Sequence, residues 1–300
     1  MSSSEAPGPG VIHDIGYRGY TGPRLDRRAI TFALFTHTLR GVFGLGRAAR
    51  SKVVPFGMAT VMLLPAVVLA AVSVVGARQG LTEPVLPYTR FAMVTQGALA
   101  IFLAVAAPQA VSLDLRYHTL PLYLSRPLAR ADYALAKLAA VAAAVFILLA
   151  APLLLMYLGA LAAQFDAGEQ TAQVLQALAG AALFALVLAS IATVIASLTG
   201  RRGFGIASVI TVLTLSFAVV SGLQDVAAVQ AGDPTLAGWL GMLSPMTLVD
   251  GVQVWAFGAD ASTAAGPPDG VAGAVFLLAA LLVVAASYAA LLRRYRKVKA

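Results

Sequence analysis

Six stretches of the chain are long, apolar and free of acidic and basic side chains: residues 53–75, 91–113, 138–163, 174–198, 204–223 and 271–292. A helix needs roughly 20 mostly apolar residues to cross a bilayer. The pattern therefore predicts an all-α integral membrane protein with six transmembrane helices. Only 11% of the 300 residues are charged and the mean hydropathy is +0.85, whereas a soluble domain carries about 25% charged residues. Pro65, Pro108 and Pro152 fall inside these runs, where neighbouring helices can re-satisfy the backbone that proline leaves unpaired. The first 50 residues contain no apolar core of a signal peptide.

The net charge of +8 is distributed by topology, which argues against nucleic acid as its partner. With six spans, all of the 21 basic residues except Arg78 and Arg90 fall on one side. Glu83, Asp166, Glu169, Asp225, Asp233, Asp250, Asp260 and Asp269 fall on the other. The positive-inside rule then places both termini in the cytoplasm.

This division gives a flexible cytoplasmic tail at 1–23, an interfacial segment at 24–52, a transmembrane domain at 53–292 and a basic cytoplasmic tail at 293–300. In RLDRRAITFALFTHTLRGVFGLGRAARSK, Leu25, Phe32 and Leu39 recur at heptad spacing among arginines, with Phe35 and Val42 one step around the same face. That is the pattern of an amphipathic helix lying in the headgroup layer and in contact with lipid.

The external region 224–270 contains one stretch, 236–258, nearly long enough for a seventh span. Gly241, Pro245, Asp250 and Gly251 interrupt it, and a seventh crossing would put the basic tail outside. It is expected to form short external or re-entrant helices, with Asp250 as an outward loop carboxylate.

The chain contains no site that points to catalysis. Cysteine is absent, and His13, His37 and His118 have no spacing suited to a metal. No zinc-protease or nucleophile-elbow motif occurs. Lys52, Lys137, Lys297 and Lys299 follow Ser, Ala, Arg and Val, so no phosphate-binding GK[ST] exists. Ion-coupled carriers keep ionisable groups at mid-membrane, and the six runs have none. If the chain does active work, a partner must supply the energy.

Between the second and third runs, loop 114–134 is longer than a turn requires. Its centre mixes Tyr117, Leu120, Leu122 and Tyr123 with Arg116, His118 and Thr119, and Pro121 and Pro127 restrict its backbone. Aromatic and leucine anchors rimmed by charge suit a protein-docking surface.

The segment DLRYHTLPLYLSRPLARADYALAKL resembles the cytoplasmic loop of ABC-2 type permeases, the membrane subunits of ATP-binding-cassette exporters. Asp114, Thr119, Leu120, Leu124, Ser125, Pro127, Arg130, Asp132 with Tyr133, and Lys137 match that family's pattern in order. His118 stands where the family usually has glycine, and Pro121 is a further departure.

The resemblance implies a half-transporter in a bacterial cytoplasmic membrane, paired with a second identical or paralogous permease subunit. Two ATPase subunits would bind below, holding ATP and Mg, with no cofactor in this chain. Asp114, Arg116, Tyr117, His118, Thr119, Leu120, Leu122, Tyr123 and Arg126 would form the ATPase-coupling helix, and Arg201 and Arg202 a secondary cytoplasmic contact. Spans one, two and five would line the path, with Thr211, Thr214, Ser216 and Ser221 as its polar groups, although serine and threonine in lipid also bond their own helix. The alternatives are a membrane scaffold or assembly factor that moves nothing, and an ion-coupled carrier.

Overall fold

The computed structural model describes Gly22 and residues 26–117, 119–125, 127–199 and 202–297. The described residues form helices and turns, with no strand among them. The principal helices are α1 (Arg27–Val42), α2 (Val53–Ala77), α3 (Gln96–Arg116), α4 (Leu120–Leu124) and α5 (Arg130–Ala162), followed by α6 (Ala167–Leu198), α7 (Gly203–Gln230), α8 (Pro234–Leu240), α9 (Pro245–Phe257) and α10 (Ala272–Arg296). Among the described residues α2, α3, α5, α6, α7 and α10 are long and apolar enough to cross a membrane. The chain is a multi-pass, all-α membrane protein.

Helices α5 and α6 form the centre. α5 packs against α6, α2, α1 and α10, and α6 also packs against α10 and α9. α3, α5 and α6 are mostly buried, while α2, α7 and α10 keep wide exposed faces. Those faces carry Val61, Leu64 and Val68 on α2, Leu215 and Val219 on α7, and Leu278 and Leu282 on α10. Apolar surface on this scale suits a lipid solvent rather than water.

Asp26 caps α1 by accepting from Ala29 N at 2.8 Å. The helix ends at Val42, well before the expected limit at 52. Gly44 and Gly46 turn the chain through positive φ, and a Cβ on Gly44 would lie 2.5 Å from the Ser51 carbonyl oxygen. Of the heptad Leu25, Phe32 and Leu39, Leu39 packs against the core and Phe32 stays on the outer surface. Phe32 is 68% exposed, and the buried stripe is Leu34, Thr38 and Val42 at helical i, i+4, i+8 spacing. Leu25 lies outside the described residues, as do residues 1–21 and 298–300 of the two tails.

α5 starts at Arg130 rather than at 138. The Asp132 carboxylate accepts from Ala129 N at 3.3 Å, and an acid in the first turn also suits the helix dipole. Its polar first two turns are therefore helix, although they read as loop. Consequently Asp132 and Lys137 lie on α5, and Asp114 and Arg116 on α3. The six transmembrane helices are thus not free of charge at their ends.

α3 absorbs Pro108 in a π turn, where Leu113 N bonds Pro108 O five residues back. α7 runs to Gln230 through two more π turns, Thr211–Leu215 and Val226–Gln230. The possible seventh span resolves into α8 and α9, separated by Gly241–Leu243 and the Ser244 cap. α9 has 13 residues, a rise of about 20 Å at 1.5 Å per residue against the roughly 30 Å of a hydrocarbon core.

Candidate functional site

At one end of the bundle the last turn of α3 meets the first turns of α5, with α4 between them. The Asp114 carboxylate lies 2.6 Å from Lys137 Nζ. It also accepts from Tyr133 Oη at 2.6 Å and from Thr119 Oγ1 at 3.3 Å. Thr119 N bonds the Asp114 carbonyl at 3.1 Å, folding the chain back beside α3.

Lys137 is 5% exposed, and its ammonium stands over Tyr133 and Tyr123 at 5.5 and 5.9 Å from the ring centroids. Tyr133 in turn meets Tyr295 of α10 edge-on at 5.1 Å and Tyr123 of α4 at 5.6 Å. A buried cation is tolerated only with a partner and further polar contacts. Here the carboxylate and two aromatic faces supply them.

Several contacts lock this end. Gln109 donates to Gly41 O at 2.5 Å, joining α3 to α1. Ser112 donates to Ala196 O at 2.6 Å, joining α3 to α6. Arg294 of α10 donates to Ser197 O, satisfying a carbonyl near the C-terminus of α6. Arg27 pairs with both oxygens of Asp132, its Nη2 at 2.9 Å, so α1 is held to the start of α5. A cavity of about 170 Å³ lies beside the pair, bounded by Thr38, Arg47, Gln109, Asp114 and Lys137.

The expected docking surface therefore divides in two. Asp114, Thr119 and Tyr123 turn inward as an anchor, and Leu120 is only 1% exposed. Leu120 is core and not an exposed anchor. Arg116, Tyr117 and Leu122 face outward, Tyr117 at 65% and Leu122 at 71% exposure. The Arg116 guanidinium lies 5.8 Å from the Tyr117 ring. His118, Arg126, Arg201 and the side chain of Arg202 lie outside the described residues. Tyr133 and Lys137, the partners of Asp114, were absent from the expected site. The signal available for them was the isolated Lys137 in an otherwise apolar run.

The expected path residues all lie along α7. Thr214, Ser216 and Ser221 each donate to a carbonyl of their own helix, at Ile210, Leu213 and Ala218. Thr211 and Thr214 lie on the exposed surface of α7, with Ser216 and Ser221 half-buried.

At the opposite end Asp250 is no outward loop carboxylate. It sits within α9, buried, and accepts from Ser262 N at 2.9 Å and Ser262 Oγ at 2.6 Å. Burial pushes its carboxyl above the usual range, opposed by the Ser262 bonds and by Arg90. Arg90 also donates to Ala261 O at 2.9 Å, holding the same loop. Nearby, Tyr88 donates to Gln170 at 2.7 Å, and burial pushes its phenol up to about 12.

No family model matches the chain, and no curated protein matches it.

Proposed function

We propose that the chain is the membrane-spanning permease subunit of an ATP-driven exporter, coupled to separate ATPase subunits through segment 114–130. The carrying observation is the two-faced loop: Tyr117 and Leu122 are exposed beside Arg116, while Asp114 is clamped to Lys137 and Tyr133. A segment that receives mechanical work needs an outer face for its driver and a rigid attachment to the spans. Asp114 bonds the loop to α5, and the tyrosine cluster extends that attachment to α10.

The order of residues from Asp114 to Lys137 supports the same reading through its resemblance to ABC-2 type permeases. In this scheme α1 lies at the cytoplasmic interface, α8 and α9 form the external region, and both termini are cytoplasmic. Two permease subunits and two ATPases, the latter holding ATP and Mg, complete the assembly in a bacterial cytoplasmic membrane.

The test is a mild-detergent pull-down of the tagged full chain from its native membranes, with mass spectrometry for a stoichiometric P-loop protein. Tyr117→Asp and Leu122→Asp are expected to leave the chain intact in the membrane and to release that partner. Intact protein with no ATPase, or retention by both variants, overturns the coupling role.

A further inference from the structure

A second feature lies on the outer side of α1, apart from the Asp114 cluster, and does not depend on the exporter reading. Between α1 and α5 runs an open groove of about 540 Å³, within the 300–1,000 Å³ range of small-molecule sites. Its walls are Phe32 and Phe35 of α1, stacked at 6.0 Å, and Leu135 and Ala139 of α5. Phe32 and Leu135 are both exposed although apolar.

Arg27 and Arg28 stand at one end. Arg27 is paired with Asp132, whereas exposed Arg28 has no ion-pair or hydrogen-bond partner among the described residues. One uncompensated positive charge therefore stands where the apolar channel begins. Ala139 is nine residues beyond the start of α5, about 14 Å along the axis. The groove thus passes from the charged end of a membrane-crossing helix into its apolar length. Headgroup charge above and hydrocarbon below is the chemistry of a membrane lipid, and an anionic one complements Arg28.

We infer that the groove between α1 and α5 holds one anionic phospholipid, its phosphate at Arg28 and an acyl chain along Phe32, Phe35 and Leu135. Bound there, the lipid covers the exposed side of α1 and joins α1 to α5 beside the Arg27–Asp132 pair.

The full chain, purified in nonionic detergent, is titrated with phosphatidylglycerol, phosphatidylcholine or glycerol phosphate, and retained molecules are counted by native mass spectrometry. One phosphatidylglycerol per chain is expected, favoured about fivefold over phosphatidylcholine, the effect of one basic side chain near anionic headgroups. Arg28→Gln is expected to remove the preference and Leu135→Trp to remove retention by filling the groove. Arg293→Gln, exposed on α10, is expected to change nothing. Equal retention of the two lipids, or equal losses from Arg28→Gln and Arg293→Gln, overturns the site. Binding of glycerol phosphate without acyl chains overturns its assignment to a lipid. Arg28 is exposed and unpaired among the described residues, so its substitution remains decisive if Leu135→Trp fails to fold.

Discussion

Lys137 Nζ and the Asp114 carboxylate meet at 2.6 Å between α5 and the last turn of α3, with both side chains largely buried. Removing one partner of a buried pair strands the other, at a cost of about 3–5 kcal/mol. Lys137→Met and Asp114→Leu are each expected to lower stability on that scale. The double variant should recover much of the loss, because no charge is left uncompensated. Thermal unfolding of the four proteins in one detergent measures the coupling, and strictly additive losses would contradict it.

Buried Leu120 and the exposed residues around it give opposite expectations. Leu120→Ala removes a core side chain and should cost about 2–5 kcal/mol. Tyr117→Ala and Leu122→Ala alter exposed positions and should stay within about 0.5 kcal/mol of the parent. Unfolding midpoints check this ranking, and an unstable Leu122→Ala beside a neutral Leu120→Ala would invert the assigned faces.

Asp250 links stability to pH. Burial raises its carboxyl in the folded state, so folding favours the protonated form. The stabilisation linked to that proton is complete at low pH and is lost as pH rises through the folded-state value. Asp250→Asn does not titrate. The melting temperature of the parent minus that of Asp250→Asn should therefore increase as pH falls from 7.5 towards 5. A difference that shrinks would mean that the Ser262 bonds and Arg90 outweigh burial.

α9 reaches α10 at a glycine. A Cβ on Gly273 would run into the Trp255 side chain. Gly273→Ala should therefore cost about 1–3 kcal/mol, as overpacking does. Added to Trp255→Gly it should cost little more, since both the ring and the Cβ of Trp255, which the added methyl would otherwise meet, are gone. Full additivity in the unfolding midpoints would place the effect elsewhere.

The spans were legible because runs as apolar as α2 or α6 have no other stable arrangement in lipid. Their ends were less so. Asp132, Tyr133 and Lys137 lower the hydropathy of the first turns of α5 without breaking the helix, and hydropathy alone does not separate those cases. The anchor was legible only as residue types, because Asp114 and Lys137 meet through a fold-back set by Thr119 and α4. Leu120 and Leu122 are two residues apart and have opposite fates, a difference fixed by the local rotation of a five-residue helix. On α1 a spacing of seven finds apolar residues but does not say which are covered: contact with α5 buries Leu34, Thr38 and Val42 and leaves Phe32 outside. Asp250 read as a loop residue because Gly251 follows it, yet α9 runs through both.

The π turns of α7 bear on how this helix can vary. A π turn holds one residue more than an α turn, and at the second of them Ala231 N reaches back five residues to Val226 O. A residue in an α-helix advances the wheel by about 100°, and the π turn absorbs that advance locally. Deleting one residue within 211–215 or 226–230 can therefore close the turn to an ordinary α turn while both flanks keep their azimuth. The same deletion elsewhere in α7 would swing Val219 and Leu223 round the axis. α7 thus carries two places where its length can change without changing what it presents to its neighbours.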